Sequence, residues 1–353
     1  MDSPPGLDLS ALGTFMDSGG LDIAGPLRAE VIAGGRSNLT YTVSDDRRQW
    51  VVRRPPLAHV LPTAHDMARE WRVISALQST AIPVPGAVLF CADLAVIGAP
   101  FYIMDFVDGH VVREMLPAAW PATAVTAEAM SIALIDTLLD LHSVVPAEVG
   151  LEGFGRPQGF LERQVRRWWQ QWEASKTREL PAIEELHRRL LAGVPAQSAP
   201  GIVHGDYRFD NVIYAPGDPR RIAAVVDWEM STVGDPLCDL GLLVVYWVTD
   251  RADPAASALP GGRVSLGEGF PSREQMIAFY ATRSRRDLGN LEWYVALGHY
   301  KLAIIAEGIN ARFLLGMTVG DGFETMGPAV PRIVERALDR ASASGLAGLS
   351  GGS

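Results

Sequence analysis

The sequence predicts an α+β protein of two unequal lobes, a small strand-rich one followed by a larger, mainly helical one. Three observations lead there. Short apolar runs bounded by Gly and Pro dominate up to about residue 107, apolar residues at helical spacing take over after Asp108-Gly109, and residues 202–227 again read as strand segments joined by loops. The expected division is an N-terminal extension over residues 1–20, a β-rich lobe over 21–107, a helical lobe over 108–343 and a disordered tail over 344–353.

At 353 residues and 48% hydrophobic content, the chain has ample material for a core. A net charge of -10 argues against nucleic acid or an anionic membrane as partner. Cys91 and Cys238 are far apart and lack Cys-x-x-Cys spacing, so they indicate neither a disulfide framework nor a zinc site. They read as small buried hydrophobes. The opening MDSPPGLDLS has no basic segment followed by an apolar core, and no apolar run approaches the roughly 18 residues of a membrane span. A cytoplasmic protein is expected. Only Lys176 and Lys301 are lysines among the 31 basic residues.

In the first lobe, Leu9, Leu12, Phe15 and Met16 fall on one face of a short helix. Residues 31–43 read as strand, glycine turn, strand. The turn, Gly34-Gly35-Arg36-Ser37-Asn38, is either an ordinary hairpin loop or a place where backbone N–H groups and the Ser37 hydroxyl approach phosphate oxygens. Gln49 to Arg54 is the next strand, stopped by Pro55-Pro56. Alternation puts Val51 and Arg53 on one face and Val52 and Arg54 on the other. Arg53 is then either a solvated edge charge or a permanent cation facing a phosphate. Thr63 and Asp66 offer a helix start, Met67, Trp71, Ile74 and Leu77 form its buried stripe, and Glu70 lies beside that stripe within reach of a cation on the sheet. Two more strands, 88–90 and 101–107, follow.

The second lobe is read as helices. Met130, Leu134, Leu138 and Leu141 line the first, Leu161, Val165, Trp168 and Trp172 the second, and Ile183, Leu186 and Leu190 the third. After Gly234-Asp235-Pro236, residues 237–248 are apolar on all sides and form a buried helix. Asp239 near its start is the odd residue, and a buried carboxylate there needs the backbone N–H groups of a loop. Residues 251–270 read as a loop or lid, Ser272 with Gln275 caps a helix, and Trp293, Leu297, Tyr300 and Ile304 mark a long one with Glu307 at the border of the substrate cleft. A last helix covers residues 325–343.

Residues 202–227 carry the chemistry. Ile202-Val203 end a short apolar run just before His204-Gly205-Asp206, so Asp206 sits at a strand end facing a loop. Asn211 precedes a hairpin, Val212 to Tyr214 and Ile222 to Val226, whose return strand delivers Asp227 beside it. An amide oxygen and a carboxylate are hard ligands suited to Mg²⁺. The remaining acid, Asp206, is free to orient a hydroxyl and accept its proton. One acid for the nucleophile, with an Asn and an Asp for metal, is the division of labour in phosphoryl transfer.

The words HGDYRFDN, DWE and GGRSNLTY, with Gly234-Asp235-Pro236 and Asp239, make residues 25–340 resemble the protein-kinase-like fold and, within it, the aminoglycoside phosphotransferase family. They are most similar to the kinase-like domains fused to acyl-CoA dehydrogenases and their stand-alone bacterial relatives. The resemblance implies ATP and Mg²⁺ as cofactors, Asp206 as catalytic base, and Asn211 and Asp227 as metal ligands. Glu229 would assist the metal or the acceptor. Asp239 would brace the catalytic loop, with His204 in a structural role. Gly34, Gly35, Ser37 and Asn38 would cover the phosphates, and Glu70 would pair with the phosphate-binding cation. Asp105 and Val107 would offer backbone groups to adenine from the hinge between the lobes. The family usually places lysine on the phosphate-binding strand, so Arg53 must do that work here. The implied activity is transfer of the γ-phosphate of ATP to a small-molecule hydroxyl, either aminoglycoside-like or a hydroxy acid or its CoA thioester. A nucleotide-binding pseudokinase regulator and a metal-dependent hydrolase are the competing readings.

Overall fold

The strand-forming words before residue 107 assemble into one antiparallel sheet in the order β1-β2-β3-β5-β4. The strands are β1 (Arg28–Val31), β2 (Leu39–Ser44), β3 (Gln49–Arg54), β4 (Ala87–Cys91) and β5 (Phe101–Asp105). The computed structural model describes residues 3–32, 38–57, 66–250, 263–318 and 322–351.

Strand periodicity separates the two faces of this sheet. Trp50, Val52, Tyr41, Val43, Phe101 and Ile103 form the outer face, and helix α1 (Leu9–Ser18) covers it with Leu12 and Met16. Residues 7–18 therefore belong to the core of the first lobe and are not an appendage to it. Arg54 also points outward, donating to the carbonyl oxygens of Gly6 and Ile97. The inner face presents Val51, Tyr102 and Met104 to helix α2 (Met67–Leu77) and the core of the second lobe. Asp66 caps α2 by accepting from Arg69 N at 3.1 Å, while Thr63 lies outside the described residues. A short α3 (Leu94–Ile97) precedes β5.

The second lobe is built on α4 (Ala124–Ser143), α5 (Phe160–Ser175), α6 (Pro181–Ala192), α7 (Leu237–Tyr246), α8 (Arg273–Arg283), α9 (Leu291–Leu314) and α10 (Met326–Ala343). As expected, Ser272 and Gln275 form a reciprocal capping box at α8. α7 lies so close to α9 that a Cβ on Gly241 would come within 2.5 Å of the Tyr294 carbonyl carbon. Only glycine permits that approach. Set among the helices are two small antiparallel pairs, β6 (Gly201–Val203) with β9 (Thr232–Gly234), and the hairpin β7 (Val212–Ala215) with β8 (Asp218–Val225).

The C-terminal residues differ from expectation. Leu349 is fully buried, its N–H lies against Gly193 at the end of α6, and Arg189 donates to the Ser350 carbonyl at 3.5 Å. Leu349, with Leu346 also packed against the core, anchors a segment whose composition reads as low-complexity. Among the described residues, no helix is long and apolar enough to cross a membrane.

Candidate active site

The two small strand pairs bring the acids together. β6 pairs with β9, and β7 with β8, so that the chain leaves β6 at His204 and leaves β8 at Val226. Val226 N donates to the Asn211 carbonyl at 3.0 Å, which places Asn211 and Asp227 next to one another across the mouth of the hairpin. Asp227 has φ 66, the one positive φ of a non-glycine among the described residues. Its left-handed backbone is strained for a residue with a side chain and persists because its surroundings fix it.

Asp239 holds the loop before Asp206. It is fully buried and accepts from the backbone N–H groups of His204 and Gly205, both at 2.7 Å, with His142 Nε2 3.4 Å from one oxygen. Although burial works in the opposite direction, these donors and the neighbouring histidines hold its pKa below the usual aspartate value. The expected supply of loop N–H groups is therefore present. His204 is also fully buried. Its ring lies 3.0 Å from the Val226 carbonyl through Nε2 and accepts from Asp206 N through Nδ1 at 3.2 Å. The imidazole thus ties the Asp206 loop to the strand end that presents Asp227.

The two oxygens of Asp206 have different neighbours. Oδ2 accepts from Asn211 Nδ2 at 2.9 Å and from Arg208 Nε at 3.2 Å. Among the described residues Oδ1 has only a long contact, 3.5 Å, with the Tyr246 hydroxyl. Arg208 also lies 3.2 Å from Asp210 and over the Tyr246 ring at 4.9 Å. Arg208 and Tyr246 were not anticipated as part of the site. Arg208 lies inside the motif and could have been noticed, whereas Tyr246 is 40 residues away in a helix that is apolar on every side.

Across the cleft, Arg53 reaches from β3 into a cluster of acids. Its Nη2 is 2.5 Å from Asp227 Oδ1 and 3.5 Å from Glu229 Oε2, and its Nε is 3.0 Å from Glu70 Oε2, close in charge but off the hydrogen-bond direction. Arg53 is thus no solvated edge charge. Glu70 is 1% exposed and accepts from Tyr102 at 2.9 Å and Asn38 Nδ2 at 2.9 Å. Burial first, and then the nearby Asp227 and Glu229, push Glu70 up to about 7 against the pull of Arg53. The acids raise the pKa of Arg53 further despite its burial, so it stays cationic. Asn38 Nδ2 also donates to Glu229 Oε2 at 3.1 Å, turning the Asn38 side chain into this cluster. Gly34, Gly35 and Ser37 lie outside the described residues.

Asp105 closes β5 at the lobe junction, where its N–H donates to the Gly86 carbonyl at 2.8 Å, and Val107 follows in the connecting segment. The Asp105 N–H is thus already engaged. Glu307 requires a correction. It was expected at the border of the substrate cleft, but it is 0% exposed, accepts from Thr177 N at 2.8 Å and Thr177 Oγ1 at 2.6 Å, and pairs with Arg178 at 3.2 Å. It fastens α9 to the segment after α5, because α9 is buried around nearly its whole circumference.

The donor set suits a magnesium ion. Both side-chain bonds from Asn211 to Asp206 use the amide nitrogen, which leaves the amide oxygen available beside the carboxylate of Asp227. A guanidinium already lies against Asp227, so the acid is arranged to face positive charge.

A model of the phosphotransferase enzyme family matches residues 28–272. Acyl-CoA dehydrogenase family member 11 of Homo sapiens is 36% identical over 287 residues, and the match covers 80% of this chain and 36% of that protein. The chain therefore spans about a third of the length of that relative. Among solved structures, a Ralstonia eutropha protein provisionally assigned as an aminoglycoside phosphotransferase is 29% identical with TM-score 0.79, covering 95% of this chain and 98% of the other. An aminoglycoside phosphotransferase mutant solved with AMP-PNP and hygromycin B gives TM-score 0.60 at 14% identity, covering 94% and 99%. That last likeness is one of fold, and it agrees with the small sheet and mainly helical second lobe.

Proposed function

Since the chain belongs to the phosphotransferase enzyme family, we propose that it transfers the γ-phosphoryl group of ATP to a hydroxyl of a small molecule, with Asp206 as the base. The observation that carries this reading is the asymmetry of the Asp206 carboxylate. Asn211 and Arg208 fix Oδ2, and Oδ1 is left to orient the acceptor hydroxyl and take its proton as the oxygen attacks phosphorus and ADP departs. Asp239 and His204 keep the loop in place without touching reactants. Arg53 is positioned to neutralise phosphate charge, with Glu70 setting its direction and Glu229 sharing it. When bound, Mg²⁺ on Asn211 and Asp227 would screen the triphosphate and fix its oxygens. Asp105 and Val107 would meet adenine, for which the Asp105 carbonyl is the available group, and the turn at 34–38 would cover the phosphates. Such an ATP-consuming enzyme is expected in the cytoplasm.

The relationship to acyl-CoA dehydrogenase family member 11 favours a hydroxy acid or its thioester as acceptor over an aminoglycoside. The test is an ADP-release screen over aminoglycosides, amino alcohols and hydroxyacyl thioesters. Acceptor-dependent ADP with a phosphorylated product supports the reading. Nucleotide binding without ADP would indicate a regulator, and inorganic phosphate with no phosphorylated acceptor would indicate a hydrolase.

A further inference from the structure

Lys301 is one of two lysines in the chain, and no role above uses it. It is 9% exposed, and its ammonium donates to the carbonyl oxygen of Gly205, the residue before Asp206, while lying 5.6 Å from the Trp168 ring centroid. Among the described residues it forms no ion pair with a carboxylate. Burial lowers its pKa, although Asp206 and Asp239 oppose the shift. Asp206 and Asp239 act on this buried ammonium without pairing with it, and of its three N–H donors one is hydrogen-bonded among the described residues, to a neutral carbonyl.

Lys301 lines a cavity of about 330 Å³ that also reaches Gly205, Glu229, Trp168 and Arg167. The acids on its wall are already engaged. Asp239 accepts from two loop N–H groups, Glu229 faces Arg53 and Asn38, and Asp66 caps α2. The arginines are different. Burial, together with the neighbouring guanidinium groups of Arg72 and Arg167, holds Arg69 below its ordinary pKa, with Asp66 opposing. Arg167, Phe160, Gln164 and Thr232 also line a second groove of about 450 Å³, which continues past Arg156, Arg163 and Arg166 with no acid on its wall. Arg166 is paired with Glu162 at 2.7 Å, and Arg163 donates to the carbonyl oxygens of Gln158 and Arg156. In a chain of net charge -10, this is a local concentration of positive charge leading toward the loop that carries Asp206.

We propose that this arginine groove and Lys301 form the acceptor's binding site and that the acceptor is an anion. Phosphate groups of the acceptor rest on Arg156, Arg163 and Arg167 at the outer end, and Lys301 faces the polar end nearest Asp206. The inference rests on the phosphotransferase reading for the identity of the reacting hydroxyl, but the binding site stands on the charge distribution alone. A polycationic aminoglycoside is disfavoured by the same groups that hold the anion.

The test uses a matched pair of probes, 3-hydroxybutyryl-coenzyme A and the same hydroxyacyl group as its N-acetylcysteamine thioester, which lacks the phosphates. Binding to the full chain is measured by calorimetry without nucleotide. The coenzyme A probe is expected to bind at least tenfold more tightly than the uncharged thioester, with affinity falling as salt rises. The double charge reversal Arg163→Glu with Arg167→Glu, on exposed positions, should remove that advantage. Lys301→Met should weaken both probes. Equal binding of the two probes, or a double reversal that leaves the coenzyme A affinity unchanged, would overturn the proposal, even if Lys301→Met fails to fold. If a probe binds in this charge-dependent way and no compound of the acceptor screen releases ADP, the phosphotransferase reading fails while the anion site stands.

Discussion

Replacing Asp239 by Asn tests whether the base loop is held by the buried carboxylate beneath it. In the native chain the two oxygens of Asp239 accept the His204 and Gly205 N–H groups at 2.7 Å. A hydrogen bond to a charged group contributes about 1.5–3 kcal/mol. Asn keeps one acceptor and turns an NH₂ donor toward the other N–H, so one such bond is lost and a donor-to-donor contact replaces it. A loss of about 2–4 kcal/mol follows. At roughly 2–3 °C per kcal/mol for a chain of this size, the melting temperature should fall by about 5–10 °C. The sign of the pH dependence is also set. The folded pKa of Asp239 is lowered from 3.8, so its stabilisation is present above that value and disappears as pH falls through the folded pKa. As pH falls through that folded pKa, the variant and the native protein should therefore converge. Calorimetric melting at pH 7 and over a descending series of acid pH values measures both effects. A shift under about 2 °C at pH 7, or one that does not narrow anywhere as pH is lowered, would show that the Asp239 carboxylate does not hold the loop.

Other substitutions address the remaining groups. Arg53→Met removes the cation shared by Glu70, Asp227 and Glu229 and should destabilise by about 3–5 kcal/mol at pH 8. Glu70 is pushed up to about 7 from 4.5, so its contribution is favourable below the unfolded value and is lost as pH rises through 7. The deficit of the variant should accordingly shrink at pH 5, as denaturant melts at the two pH values will show. Glu307→Gln removes the ion pair with Arg178 and should lower stability by about 1–3 kcal/mol without changing the acceptor KM. A tenfold rise in that KM at native stability would return Glu307 to the substrate cleft. Asn211→Ala should raise the Mg²⁺ concentration giving half the maximal rate by at least tenfold, as read from magnesium titrations of ADP release.

The parts of the site that were legible in the sequence are those set by local periodicity. Apolar runs ending at His204 and Val226 fix where Asp206 and Asp227 emerge, and strand alternation sends Arg53 to the same face of the sheet as Val51. Asp239 was readable because a charge at the start of an all-apolar helix must find donors, and a nearby loop supplies them. Glu307 and Lys301 were not readable in that way. α9 is buried around most of its circumference, so spacing along it does not tell cleft from interior. The bond from Asn38 to Glu229 joins residues 191 apart, and no local pattern encodes it. The tail misled for a related reason, since Leu349 among small residues looks dispensable until the groove beside Gly193 is seen.

Turnover of Asp206→Ala, set beside its affinity for Mg-AMP-PNP, measures whether Asp206 takes the acceptor's proton. Once an acceptor that supports ADP release has been found, turnover should fall by at least 10²-fold in the variant, with nucleotide affinity changed far less, because Asn211 loses its bond to the Asp206 carboxylate but keeps the one to the Asp206 backbone carbonyl. Undiminished acceptor-dependent ADP release by a folded Asp206→Ala protein would show that Asp206 is not the base.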